Sequence, residues 1–212
     1  QGVSSAASDV YKRQMLNHVF DSATPQDVSR VLRGINPFNL QMQINGQTVN
    51  GDNISRWEQC IDMKEATHNT HFTCDGKADV SYSICALRNL PYAGLVRVEV
   101  TALGDMYLTV SNPIEVPDEY KNIGSKLLNV NVNGNDIKIV RTWALSKYRE
   151  QKVSASSAFI YDKNSSVQQQ YNGSGQISIS LKKGEKFFFT LRTGIPVSYT
   201  HLRAHETLMN LV

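Results

Sequence analysis

The chain has 212 residues, of which 22 are Lys or Arg and 19 are Asp or Glu, giving a formal net charge of +3 at pH 7. This charge is too small for the basic surface of a nucleic-acid-binding protein, so we expect no nucleic-acid partner. Three cysteines do not make a disulfide framework, and no apolar run approaches the roughly eighteen residues that predict a membrane span.

The two ends of the chain resemble translated laboratory DNA. Residues 4–14 (SSAASDVYKRQ) resemble one reading frame of a transposase-type sequencing adapter, and residues 197–207 (VSYTHLRAHET) resemble a frame of the opposite adapter. Segments of this kind are set aside before a fold is inferred. We therefore expect residues 1–14 and 197–212 to be adapter-derived and non-native, and residues 15–196 to be an internal slice of a longer gene.

A short helix is predicted over residues 25–33. Thr24 can cap such a helix, Pro25 suits its first position, and Gly34 can end it. Apolar residues recur between these signals at helical spacing, namely Val28, Val31 and Leu32. We expect the helix to pack as a connector against a sheet.

Beyond Pro37 the apolar residues alternate with polar ones, which is typical of half-buried β-strands. The first alternating run ends at Asn45-Gly46, a pair that favours a hairpin turn. Later runs include residues 95–103 and 106–110, and we expect a hairpin over 98–110 with its turn at Gly104-Asp105. A first β-sandwich module is thus predicted over 15–112, and the two prolines in 113–119 indicate a linker.

The rest of the chain repeats this style. One hairpin is predicted over 131–139, and another over 177–191 with its turn at Lys182-Lys183-Gly184-Glu185. Residues 120–196 are therefore predicted to form a second, truncated β-sandwich module. Segment 40–46 resembles segment 128–134, which either an internal repeat or generic hairpin composition would explain.

The predicted fold class follows from these runs. Short strands with frequent turns indicate an all-β protein. We expect two tandem antiparallel β-sandwich-like modules with one short N-terminal helix.

Histidines and cysteines cluster at His68, His71 and Cys74, with Cys60 before them and Cys85 after them. Imidazole and thiolate are good zinc ligands, but residues three apart on a strand point to opposite faces and no Cys-x-x-Cys pair is present. We therefore predict no metal, no cofactor and no catalytic cysteine. A Cys60–Cys74 or Cys60–Cys85 disulfide remains open, with one cysteine left unpaired in either case.

Aromatic side chains are the candidate binding residues, because a ring offers a sugar an apolar face and a polar edge. Core packing is the favoured interpretation of Trp57 and Trp143, with ligand stacking as the alternative. Tyr92, in a Pro-Tyr-Ala-Gly loop, and Tyr171, in a polar segment, are predicted to be exposed and to bind a ligand.

No paired carboxylates or phosphate-binding loop stand out, which favours a non-enzymatic protein. The segment 176–189 (QISISLKKGEKFFF) resembles the C-terminal β-domains of phage tail fibres. This resemblance implies a structural or adhesin module, virion-borne or extracellular, that forms a homo-oligomer and recognises a surface glycan or a protein. The alternative is an accessory β-domain of a larger secreted enzyme.

Overall fold

The computed structural model describes residues 15–195 except positions 23, 25, 27, 88, 91, 133 and 163–165, and at 15–19 it describes the backbone alone. The adapter-like segments lie outside the described residues. Within the described part the regular structure is β-strand, which confirms the all-β prediction. The strands are β1 (Met15–Asp21), β2 (Arg30–Arg33), β3 (Gln41–Ile44), β4 (Gln47–Thr48), β5 (Ile54–Asp62), β6 (Thr67–Cys74), β7 (Ala78–Ala86), β8 (Ala93–Ala102), β9 (Met106–Asn112), β10 (Tyr120–Val132), β11 (Asn135–Ser146), β12 (Lys152–Tyr161), β13 (Gln168–Tyr171), β14 (Gly175–Leu181) and β15 (Lys186–Gly194).

Two antiparallel sheets pack face to face as a sandwich, as predicted. The large sheet has the order β10-β11-β12-β15-β8-β7-β6-β5, and the small sheet has the order β13-β14-β9-β3-β4. The main core lies between them, where Val98 and Phe189 of the large sheet meet Leu108 and Ile177 of the small one. Strands β1 and β2 form a separate two-stranded sheet.

Two of the connections between the sheets lie side by side at one end of the sandwich. Strand β8 of the large sheet leads into β9 of the small sheet, and β14 of the small sheet leads into β15 of the large one. Backbone bonds join the crossings, since Gly184 N donates to Ala102 O at 2.7 Å and Ala102 N donates to Glu185 O at 2.9 Å. The hairpins predicted over 98–110 and 177–191 are therefore wrong, because the two strands of each pair lie in opposite sheets and pack against the core between them.

Two other predicted hairpins are confirmed. Asn45 and Gly46 both have positive φ, of 53° and 80°, as the turn between β3 and β4 requires. Strands β10 and β11 pair along their length up to Val132 and Asn135, and Gly134 has a φ of 80° in the turn between them. The turn residues were thus correctly identified where the hairpin is short and local.

The helix predicted over residues 25–33 is wrong. Residues Arg30–Arg33 form β2 and pair with β1. Leu32 is buried whereas Val28 is exposed, so the apolar residues do not line one helical stripe. The three apolar residues are too few to distinguish a helix from a short strand, and pairing with β1 overrides the local helix signals.

The predicted linker at 113–119 does not separate two structural modules. Strand β15 pairs with β8, and β14 pairs with β9, so each sheet takes strands from both halves of the chain. The strand pairing thus corrects the division into 15–112 and 120–196: both segments build one sandwich. The two segments that resemble a repeat lie in hairpins of different sheets, β3–β4 and β10–β11.

The large sheet has an inner face, which is the face turned toward the small sheet. At the end of the sheet formed by β10, β11 and β12, a second apolar cluster covers this inner face, and we call this cluster the closed end. It consists of the buried residues Leu32, Ile35, Tyr120, Ala144, Val153 and Ala155. Leu32 and Ile35 come from the chain around β2, while the others come from β10, β11 and β12. The two-stranded sheet thus covers this end of the large sheet.

A buried carboxylate ties β1 to the closed end. Asp21 accepts hydrogen bonds from the backbone N–H groups of Tyr148, at 2.9 Å, and Arg149, at 3.2 Å. Burial by itself raises the pKa of Asp21, but these bonds and those from Ser146 and Ser22 favour the charged form and leave the pKa below its ordinary value. Asp21 is therefore a structural anchor.

An ion pair and a tyrosine fix β2 at the same end. The Arg33 guanidinium donates two 2.7 Å hydrogen bonds to the Glu119 carboxylate, and the Tyr120 hydroxyl donates to the Arg33 carbonyl at 2.7 Å. The bond from Arg33 lowers the pKa of Glu119 despite an opposing effect of burial.

Candidate functional site

The inner face of the large sheet is left uncovered at its other end. The large sheet has eight strands and the small sheet has five, and β4, the nearer edge of the small sheet, has only two residues. Six inner-face side chains of β5, β6 and β7 therefore remain accessible, and together we call them the open face: Trp57, Gln59, Ile61, His68, Tyr82 and Ile84. Trp57 is 48% exposed and Ile61 is 69% exposed.

A β-bulge in β5 brings Trp57 onto this face. The register between β5 and β6 shifts between Ser55 and Glu58, and Arg56 has a φ of 51°. Side chains alternate along a strand, so without the extra residue Trp57 would point to the outer face. The bulge turns Trp57, Gln59 and Ile61 together to the inner side.

Three aromatic rings from neighbouring strands support one another here. Trp57 stacks on Phe72 of β6 with 5.7 Å between ring centroids and 24° between ring planes. Phe72 in turn contacts Tyr82 of β7 edge to face, at 6.5 Å. Phe72 is buried, so it forms a fixed base for the half-exposed indole. An aromatic pair of this kind adds stability beyond burial and also fixes the orientation of the ring.

Polar groups lie beside the rings on the same face. Gln59 Nε2 donates to the hydroxyl of the buried Thr70 at 3.3 Å, and His68 lies between Ile61 and Ile84 in register. The amide of Gln59 and the imidazole of His68 each offer both a donor and an acceptor. Since none of the six side chains is Lys, Arg, Asp or Glu, the open face suits an uncharged, hydroxyl-bearing ligand.

The structure does not bring the two predicted binding tyrosines together. Tyr92 is exposed and has a φ of 70°, and its carbonyl accepts a hydrogen bond from Ile195 N at 2.8 Å. The Tyr171 hydroxyl donates to Ser125 Oγ at 3.1 Å and so links β13 to β10. Four strand spacings of about 4.8 Å separate Ser125 from Tyr92, or about 19 Å across the large sheet. Ligand binding at either residue stays a prediction.

The histidine and cysteine cluster is divided between the two faces of the large sheet. His68 and Cys74 lie on the inner face, whereas His71 on the outer face is 3.0 Å from the Asp79 carboxylate. Cys60 and Cys85 are also on the outer face. In the described part of the chain no three His, Cys, Asp or Glu side chains are placed to hold a metal ion.

The three cysteines are free, and the register explains why they do not pair. Cys60 lies opposite Asn69, whereas Cys74 lies opposite Ile54. Neither proposed partner of Cys60 therefore faces it across a strand pair.

The tryptophans are not the core residues that the sequence favoured. Trp143 lies on the outer face, 38% exposed, and its indole covers Gly124: a Cβ at Gly124 would lie 2.3 Å from Trp143 Cζ2. Trp57 is the more exposed of the two. The alternation Trp57, Gln59, Ile61 was visible in the sequence, and it is the signal by which this part of the open face could have been found.

Comparisons with known proteins find similar sequences that are named for the same sugar. No family model matches the chain. The chain is 25% identical to a kojibiose hydrolase of Flavobacterium johnsoniae over 199 residues, which cover 90% of this chain and 29% of the relative. It is 26% identical to a kojibiose hydrolase of Mucilaginibacter mallensis over 165 residues, which cover 78% of this chain and 24% of the relative.

A solved structure supports the fold. A putative kojibiose phosphorylase from the human microbiome matches with a TM-score of 0.62 and 7% identity, over 91% of this chain and 27% of its own. At that identity the likeness shows a shared fold alone. The chain spans less than a third of the length of each of these three proteins.

These relatives correct the predicted function. A non-enzymatic phage-tail or adhesin module is contradicted, because both curated relatives are named as hydrolases. The alternative interpretation, an accessory β-domain of a larger enzyme, agrees better with the comparisons. Among the residues that the structure describes, no helix is long and apolar enough to cross a membrane.

Proposed function

We propose that this chain is the β-sandwich part of a larger carbohydrate-active enzyme that acts on kojibiose or a closely related glucoside. The proposal rests on how much of each protein the matches cover. Each match covers most of this chain but only 24–29% of the similar protein, and each of those proteins is named for kojibiose. The sandwich thus recurs as one part of longer proteins that share a substrate name.

The chemistry of the open face supports an accessory role for the sandwich. Hydrolysis of a glycosidic bond ordinarily needs two carboxyl groups, one on each side of the bond. The open face carries none, and the buried carboxylate Asp21 is already bonded to backbone N–H groups at the closed end. We therefore propose that the reacting carboxyl groups lie in sequence outside this chain, while the sandwich contributes binding or support.

The test is to recover the gene around this chain. The locus encoding residues 15–195 is amplified from its source DNA and read outward in both directions. We expect one reading frame that continues into sequence similar to the rest of the two kojibiose hydrolases. Expressed whole, this protein should release glucose from kojibiose. A frame that closes on both sides without such sequence, or a whole protein inactive on kojibiose, would contradict the proposal.

The same reading tests the origin of the chain ends. We propose that residues 1–14 and 197–212 derive from adapter DNA, on the strength of their resemblance to adapter reading frames. Source DNA should then encode different residues at those positions. Extracellular location and self-association remain predictions of the sequence.

A further inference from the structure

We propose that the open face is a sugar-binding site in which Trp57 is the stacking platform and Gln59 and His68 bind the hydroxyl groups of a short gluco-oligosaccharide. The inference rests on the proposed function for the class of sugar. Its structural basis is independent of the relatives, because it comes from the bulge, the aromatic stack and the polar side chains of β5 and β6.

The first step is the state of the indole ring. One face of Trp57 rests on the buried Phe72, with 24° between the ring planes, while 48% of the residue stays exposed. A ring held in this way loses little side-chain entropy when a second planar or near-planar apolar surface covers it. The C–H face of a pyranose ring is such a surface.

The second step is the placement of hydrogen-bonding groups. The bond from Gln59 Nε2 to Thr70 uses one amide hydrogen, so the other hydrogen and the amide oxygen can bind hydroxyl groups. Gln59 and His68 lie on the same face as Trp57, and the four residue steps from Trp57 to Ile61 span about 13 Å. A disaccharide can therefore lie along β5 with one ring on the indole and the other beside Gln59 and Ile61.

The third step is charge. The six side chains of the open face include no Lys, Arg, Asp or Glu, so the face carries no permanently charged group. An uncharged sugar matches this composition. The competing occupant is another part of the larger protein packed on the face, and the experiment separates the two.

The experiment uses the fluorescence of Trp57. The chain has two tryptophans, so Trp143→Phe leaves Trp57 as the reporter. The Trp143→Phe protein is titrated with kojibiose, with maltose and with glycerol as a small polyol control. We expect a saturable fluorescence change with a disaccharide and none with glycerol.

Variants locate the site. In calorimetric titrations with kojibiose and maltose, Trp57→Ala should weaken disaccharide binding at least tenfold, and Gln59→Ala several-fold. Trp143→Phe should bind as the unaltered chain does. The circular dichroism spectrum and melting temperature of each variant show that the sandwich is folded, and Trp57→Phe, which keeps a ring, should retain most of the affinity.

Two outcomes would overturn the inference. One is the absence of saturable binding of either disaccharide to the folded chain. The other is Trp57 already shielded from a soluble quencher in the whole enzyme without sugar, which would mean that protein covers the open face. Hydrolysis of kojibiose by the whole enzyme without binding at Trp57 would refute this inference alone. Binding at Trp57 without any activity of the whole enzyme on kojibiose would refute the proposed function alone.

Discussion

The closed end and the open face lie on the same side of the same sheet, yet they differ in what covers them. At the closed end, Ile35 is fully buried against β11 and β12. On the open face, Ile61 of β5 is 69% exposed. The difference lies in a distant segment, because the chain around β2 covers one end while no described strand covers the other. The alternation of apolar and polar residues along a strand therefore predicts its two faces, but it does not predict which part of a face another segment covers.

The largest expected effect compares one substitution at both ends. Ile35→Ala removes a buried side chain and should lower the free energy of unfolding by about 2–5 kcal/mol. Ile61→Ala removes an exposed one and should change it by no more than about 0.5 kcal/mol. Urea unfolding followed by circular dichroism measures both. Equal losses would mean that the open face is covered in solution.

A smaller effect compares two tyrosine hydroxyls. Tyr120→Phe removes the bond to the Arg33 carbonyl inside the closed end and should cost about 1–2 kcal/mol, because the carbonyl loses a buried donor. Tyr171→Phe removes a bond to Ser125 that water can replace, so a cost of about 0.5 kcal/mol or less is expected. The melting temperatures of the two variants show which substitution causes the greater loss of stability. A greater loss for Tyr171→Phe would show that β13, rather than β2, holds this region together.

The effect confined to acid conditions concerns Asp21. Its pKa lies below the ordinary value in the folded protein, so the unfolded chain binds the proton more tightly. The stability that the charged form contributes is fully present above the unfolded pKa of about 3.9 and is lost as pH falls through the lower folded value. Unfolding free energies between neutral pH and about pH 2 should show this fall. In Asp21→Asn this part of the pH dependence should disappear; an unchanged pH profile would rule out the anchoring role.

The sequence predicted what is local and missed what depends on distant contacts. The turn at Asn45-Gly46 was identified because both residues tolerate positive φ, and the β10–β11 hairpin was identified for a similar reason. The loop at Gly104-Asp105 was misjudged because a short turn can join two strands of one sheet or cross between two sheets. Only the burial of both strands against a shared core distinguishes these cases.

The open face was predictable in part. Trp57, Gln59 and Ile61 alternate, but the bulge that turns them inward depends on the positive φ of Arg56, a residue with no intrinsic preference for that conformation. The sequence around Tyr92 and Tyr171 is typical of loops, but the structure places Tyr171 on a strand with its hydroxyl hydrogen-bonded to Ser125. The unequal widths of the two sheets decide which aromatic side chains stay exposed. The pattern of a single sequence does not predict those widths.

The central claim is that the closed end stabilises the fold and the open face binds sugar. The most direct test measures stability and sugar binding on the same two variants. Urea unfolding and calorimetric titration with kojibiose are performed on Ile35→Ala and Trp57→Ala beside the unaltered chain. We predict that Ile35→Ala loses stability but binds the sugar normally while folded, and that Trp57→Ala keeps most of its stability and loses binding. Loss of stability without loss of binding in Trp57→Ala would contradict the account and would make Trp57 a structural residue.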